Sequence, residues 1–464
     1  MKFISTRTPV AASAPETVFR GLAADGGLYL PRLSECSVSD MKIESLGDAE
    51  KFVLDALFDE FPQSVREEAV FRLLSRFPQD EPVPVVKKGP FHYLELFHGK
   101  TGAFKDVALS MLPVFMRYSA QGKKVLVLTA TSGDTGSAAM QGFAGVEGTE
   151  IVVFYPATGT SRIQRLQMTT PAEANVHAVG IKGNFDDAQG AVKKMFSDQV
   201  FAAEAARAGV TLSSANSINT GRLIPQIAYY TYAAGKLGGE FDCVVPSGNF
   251  GNILAAYYAK RLGAPIKKLV VASNVNDVLA RFVKTGVYDP GERFTVTNSP
   301  SMDIRRSSNV ERLLWELNFE GDEEAACAET SRLMKSLEEK NRYELSDAAK
   351  KRLFELFEGG VASVEETEME MCRVYEKDGY LVDPHTAVAS CVARKLGYPK
   401  EGRPCLVAAT ATAYKFPETS MNAFRKNVLL DMPENFRDLE TLPVVQKEIC
   451  EVSAMPDAVR RYFA

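Results

Sequence analysis

The feature that most constrains this chain is an alternation of short β-rich runs with helix-length stretches through its middle and end. Val125-Leu126-Val127-Leu128 leads through a Gly/Ser/Thr loop into a helical run, and 151–155 ends at Pro156. Residues 176–181, 210–212, 243–245, 269–271 and 405–409 are further strand candidates, with helices expected at about 186–208 and 221–236. Alternation of this length implies parallel sheets with helices on both faces. The expected architecture is α/β, with two doubly wound units behind an N-terminal segment. That segment spans 1–90; Pro82 and Pro84 mark its end, and Phe52, Leu54, Leu57 and Phe58 suit an amphipathic helix within it. The first unit is expected at 91–235 and the second at 236–464, with a charged, helical insertion at about 310–380.

Composition narrows the function classes. At 464 residues, 45% hydrophobic and 24% charged, the chain can bury several cores. A net charge of -5 argues against gripping nucleic acid by bulk electrostatics, yet leaves room for a local anion site. The seven cysteines are scattered and form no CxxC, so neither a disulfide framework nor a zinc site is expected. No run of 18 apolar residues suggests a membrane span, and the opening residues lack the apolar stretch of a signal peptide. A cytoplasmic, reducing setting is the expectation.

Ligands of doubly wound sheets bind beyond the carboxyl ends of the strands, so the loops there carry the functional reading. Thr131-Ser132-Gly133-Asp134-Thr135-Gly136 opens an alanine-rich helix. Its small residues and hydroxyls at a helix N-terminus suit a phosphate or carboxylate, although an ordinary capped turn has the same look. Pro246-Ser247-Gly248-Asn249-Phe250-Gly251-Asn252 repeats the design in the second unit. Two such cradles suggest one ligand held between them. The run Thr410-Ala411-Thr412-Ala413-Tyr414-Lys415 follows the last strand and by itself reads as a capped turn.

Lys105 is oddly placed. It begins a helix whose next apolar positions, Val107, Leu109, Met111 and Leu112, suggest burial. A cation there opposes the helix dipole and loses hydration, which lowers the amine pKa and suits it to attack on a carbonyl. A snorkelling surface lysine is the competing reading. Gly99-Lys100-Thr101 matches only the end of a nucleotide-binding P-loop, because Leu94 stands where its first glycine belongs.

Together these segments resemble the threonine synthase family among the fold type II, tryptophan synthase β-like, pyridoxal-phosphate (PLP) enzymes. The resemblance spans nearly the whole chain. It is carried by Ser5-Thr6-Arg7 with the stretch from Gly21 to Pro31, by His98 to Asp106, and by the TSGDTG and GNFGN loops. Ser214-Ala215-Asn216-Ser217-Ile218-Asn219, Pro300-Ser301-Met302-Asp303-Ile304, Ser308 to Arg312 and Asp383 to Ala387 add to it. Where the family reads TAHPAKFP, this chain reads Thr410-Ala411-Thr412-Ala413-Tyr414-Lys415-Phe416-Pro417.

The resemblance implies that Lys105 holds PLP. It implies that Gly248, Asn249, Phe250, Gly251 and Asn252 bind the cofactor phosphate, and that Thr410 meets the pyridine nitrogen. Ser132, Gly133, Asp134 and Thr135 would hold the substrate carboxylate. Arg162, Arg305 and Lys415 are candidates for a substrate phosphate, each with a surface salt bridge as its alternative. His385 reads first as a structural histidine. The implied reaction converts O-phospho-L-homoserine and water to L-threonine and phosphate, with PLP as electron sink and Lys105 as proton shuttle. A PLP lyase that eliminates phosphate to give a 2-oxo acid and ammonia is the alternative. A monomer or homodimer is expected.

Overall fold

A computed structural model describes residues 3–33, 42–426, 428 and 432–463; Cys36 lies outside them. Two sheets carry the fold. The smaller has five strands, all parallel, in the spatial order Ile449–Glu451, Val176–Lys182, Thr149–Pro156, Lys124–Ala130, Val210–Ser214. The larger has six, in the order Phe357–Val361, Ile266–Ser273, Phe241–Pro246, Cys405–Ala409, Phe91–Glu95, Val85–Lys88. Its first five strands run parallel, and the last pairs antiparallel through a tight turn at Gly89-Pro90. Central strands such as Val125–Leu128 and Cys243–Val245 are buried on both faces, which is why they read as continuous apolar runs rather than alternating ones.

The parallel strands and helices expected from the pattern form, with breaks where local chemistry demands them. The stretch expected as one helix at 186–208 divides into Phe185–Ser197 and Gln199–Arg207, because Asp198 turns out of the helix and caps the second. Pro225 opens Pro225–Leu237 after a single turn, Thr220–Leu223. Helix Leu46–Leu57 starts on a capping box between Ser45 and Asp48, and its apolar face, with Phe58, is buried.

Sheet membership crosses the boundaries expected at 91 and 236. Phe91–Glu95 pairs with Cys405–Ala409 in the large sheet, and Ile449–Glu451 returns to the edge of the small one. The small sheet is thus an inset within a large unit whose strands come from both sides of it in sequence. The stretch at 310–380 is mostly helical, but Phe357–Val361 inside it is an edge strand of the large sheet. Ahead of all this, Phe3–Ser5 pairs with Ala11–Ala12 and Tyr29–Pro31 in a small antiparallel sheet. Among the described residues no helix is long and apolar enough to cross a membrane.

Candidate active site

The carboxyl ends of both sheets face one cleft of about 840 Å³, part of it open to solvent. Helix Lys105–Ala120 leaves a bend braced by Asp106, whose carboxylate accepts from Thr101 N–H (2.8 Å) and Oγ1 (2.7 Å). Lys105 is the first residue of that helix, and its amine lies 4.4 Å from the centre of the Phe104 ring and 3.0 Å from Asp134 Oδ2. Burial pushes the Lys105 amine down from its ordinary pKa; Asp134 opposes the fall, and the cations Lys415 and Arg222 add to it.

Asp134 comes from the small sheet. Strand Lys124–Ala130 ends in a loop where Thr131 Oγ1 accepts from the N–H groups of Gly133 and Gly136, both at 2.9 Å. Gly133 has φ +146°, and a Cβ there would collide with the Gln164 amide, so the loop requires glycine. The turn makes Asp134 the first residue of helix Asp134–Phe143. Its carboxylate accepts from Lys105, from Lys415 Nζ (2.9 Å) and from Gln164 Nε2 (2.8 Å). Burial alone would raise this carboxyl, but Lys105 and Lys415 hold it well below the usual range.

The opposite wall is the large sheet's corner. Strand Phe241–Pro246 leads into Ser247-Gly248-Asn249-Phe250, then helix Gly251–Arg261. Phe250 sits at φ +62°, a left-handed turn that sends the chain abruptly into the helix; its ring is buried near Phe357. Behind the loop, Ser307 Oγ donates to Gly248 O (2.9 Å), and Asn309 donates to Asn249 O from its backbone N–H (3.2 Å) and its Nδ2 (2.9 Å). A Cβ on Gly248 would run into the Ser301 carbonyl oxygen. Asn252 Oδ1 accepts from the hydroxyls of Tyr229 (2.8 Å) and Tyr230 (2.6 Å), leaving its Nδ2 buried without a partner; Asn249 Oδ1 is buried and unpartnered too. The orphaned Asn252 Nδ2 donor, a glycine pressed against backbone and a helix N-terminus free of acidic side chains together fit a phosphate group, whereas Asn249 Oδ1, an acceptor, would need a donor of the ligand.

The remaining walls are Thr410, Ser301 and His385 from the large unit and Asn216, Ser217 and Arg222 beyond strand Val210–Ser214. Thr410 is buried, and its N–H donates to Thr386 Oγ1 at 3.3 Å. His385 Nδ1 donates to Asp383 (2.7 Å), which leaves Nε2 to accept from Ser301 N–H at 3.2 Å. Arg222 is fully buried; it donates to the Ala215 carbonyl, its Nε has no partner, and burial lowers its pKa to about 10.

The structure therefore gathers Lys105, Ser132, Asp134, Thr135, Gly248, Asn249, Phe250, Gly251, Asn252 and Thr410 around one cleft, with Gly133 and Lys415 just behind it. It does not bring Arg162 or Arg305 there. Arg162 is largely exposed and bridges to Glu440 at 3.0 Å; Arg305 donates to the Glu292 carbonyl on another face. Arg162 opens helix Arg162–Thr169 on its exposed face, and Arg305 lies in the loop after Pro300–Met302. Arg222 is a buried cation of the cleft that the sequence reading missed. Its signal was available: it lies six residues after Asn216, in the loop region of a strand end, amid the apolar Leu223-Ile224-Pro225.

A lysine and a phosphate cradle facing each other across two α/β sheets define the class, a pyridoxal-phosphate dependent enzyme. A family model described as pyridoxal-phosphate dependent enzyme matches residues 88–410, and one described as threonine synthase, C-terminal, matches 386–462. The chain is 34% identical to threonine synthase of Saccharomyces cerevisiae, with 99% of this chain and 98% of that protein covered. It is 35% identical to threonine synthase of Pseudomonas aeruginosa, with 98% and 97% covered. A crystal structure of PLP-bound threonine synthase from Brucella melitensis superposes with a TM-score of 0.89 at 36% identity, covering 99% of each chain. The chain belongs to the threonine synthase family.

Proposed function

We propose that this enzyme converts O-phospho-L-homoserine and water to L-threonine and phosphate, with Lys105 as the cofactor lysine. The observation that carries the substrate reading is Arg222: a buried guanidinium that lines the cleft and has no carboxylate partner among the described residues. An unpaired buried cation calls for an anion. With Asn216 and Ser217 lining the same cleft, Arg222 can grip a phosphate bidentately. Lys415 is less suited to that task, because Asp134 already neutralises it.

PLP, when bound, supplies the electron sink that lets protons leave the substrate carbons. Gly248, Asn249, Phe250, Gly251 and Asn252 would hold its phosphate, Lys105 its aldehyde carbon, and Thr410 would meet its ring nitrogen as a neutral hydroxyl. Ser132, Thr135 and the N–H groups at the start of helix Asp134–Phe143 would hold the substrate carboxylate, aided by the helix dipole. Asp134 has no hydrogen to offer a second carboxylate; its part is toward the lysines. Lys105 Nζ, with a lowered pKa and a carboxylate 3.0 Å away, is placed to take a proton at the substrate Cα and return it.

Product analysis tests the reading. Purified protein, PLP and O-phospho-L-homoserine should yield threonine and phosphate in equal amounts. Phosphate accompanied by 2-oxobutyrate instead would make the enzyme an eliminating lyase and overturn the proposal.

A further inference from the structure

Asp134 is shared between two lysines that arrive from different parts of the molecule. Oδ2 receives Lys105 at 3.0 Å and Oδ1 receives Lys415 at 2.9 Å. Lys415 is fully buried, and its amine has a second acceptor in the Thr101 carbonyl at 2.8 Å. That carbonyl also receives Gln167 Nε2 at 3.1 Å. The backbone around Lys415 is fixed as well. It lies in the single turn Ala413–Lys415, and its carbonyl accepts from Ser161 Oγ at 2.6 Å. Because Lys415 follows the large sheet's strand Cys405–Ala409 and Asp134 follows a strand of the small sheet, the pair joins both sheets beneath Lys105.

We infer that Asp134 and Lys415 are positioning residues for Lys105: Asp134 orients the free amine and holds its proton, and Lys415 keeps Asp134 ionised while opposing the charge on Lys105. The inference rests on Lys105 being the cofactor lysine. Its physical basis is a charge count. With Lys105 protonated, one buried carboxylate faces two ammonium groups, so the amine is held by Asp134 and repelled by Lys415 at once. A lysine that must give up and regain a proton within one turnover needs both influences, since either alone would trap it in one state. When Lys105 is engaged elsewhere, Asp134 still has Lys415 and does not become an uncompensated buried charge. The other charged or titratable groups facing this cluster are Asp106 on the lysine's own helix, His385 with Asp383 from the large unit, and Arg222 from beyond strand Val210–Ser214.

Competitive acetylation of the cofactor-free, full-length protein across a pH series tests this without relying on turnover. Mass spectrometry of the Lys105 peptide gives the midpoint at which that amine becomes reactive. Asp134→Asn should move the midpoint down by about one pH unit, and Lys415→Met should move it up by a similar amount. Lys415→Gln, which keeps a donor toward Thr101 and Asp134 but no charge, should match Lys415→Met. Opposite shifts are the signature of charge; loss of packing would move the variants together. Midpoints that move in the same direction, or do not move, overturn the inference, as does a shift in Lys415→Met that Lys415→Gln lacks. Threonine formation by the wild-type enzyme is read separately, so failure of the proposed reaction and failure of the positioning pair are distinguishable.

Discussion

The cleft has two corners of the same make, a parallel strand turning through a glycine-bearing loop into a helix, and they differ in what meets the helix N-terminus. At the small sheet's corner the first helical residue is Asp134, and its carboxylate is bound to two lysines of the chain itself. At the large sheet's corner the loop Ser247 to Asn252 has no acidic residue, and buried amide atoms of Asn249 and Asn252 stay unpartnered. Both present the positive end of a helix dipole, although Thr131 Oγ1 takes two N–H groups at the small sheet's corner. What differs is whether the chain supplies its own anion. The lesson is that an anion-binding corner is specified less by its glycines than by the charge of the one residue at the turn. On the function proposed above, one corner would manage a lysine's proton beside the substrate carboxylate, and the other would take the cofactor phosphate.

Breaking the first corner should have the largest effect. Asp134→Ala removes the partner of Lys105, and kcat should fall about 10³-fold while PLP affinity changes little; steady-state kinetics with a PLP titration separates the two. Arg222→Met probes the second anion in the cleft. Truncating a buried charged contact to a phosphate should lower kcat/KM for O-phospho-L-homoserine by about 10²-fold, again with PLP affinity nearly intact. Gly248→Ala reverses the pattern. Its Cβ would press on the Ser301 carbonyl, so PLP should bind about 10-fold more weakly, while KM measured at saturating PLP should hold. Should Arg222→Met impair PLP binding and Gly248→Ala impair substrate binding, the two phosphate sites have been exchanged. The smallest effect is expected from Arg162→Ala and Arg305→Ala. Both lie outside the cleft in exposed or backbone-directed contacts, and kcat/KM should stay within about twofold.

The parallel strand–helix order was legible because central strands buried on both faces must be apolar throughout, and those runs stand out. Lys105 and both cradle loops were legible because each breaks its local pattern: a cation where the dipole disfavours it, and glycines and amides at a strand end. The strands Val85–Lys88 and Ile449–Glu451 were not. Both are short edge strands with exposed or half-buried side chains, so no apolar periodicity marks them. The assignment of Phe91–Glu95 to the large sheet was hidden for another reason. Pairing with Cys405–Ala409 is a contact between residues hundreds of positions apart, and nothing local encodes it.

The misplaced cations show the same limit at the site. Arg162 and Arg305 lie near the family-like motifs in sequence, whereas burial of a guanidinium is decided by tertiary partners. Arg222 is buried because its carbonyl acceptor at Ala215 lies on the returning loop beyond strand Val210–Ser214. Asp134 was expected to hold a carboxylate because its loop has donors. Its own charge becomes informative only once Lys105 and Lys415 are seen on either side.

The most direct test of the account is to find where the cofactor attaches. The protein would be loaded with PLP, reduced with borohydride, digested and mapped by mass spectrometry. A single phosphopyridoxyl group, close to one per chain, is expected on Lys105. Label on another lysine, Lys415 above all, or no stable label after loading, would contradict it.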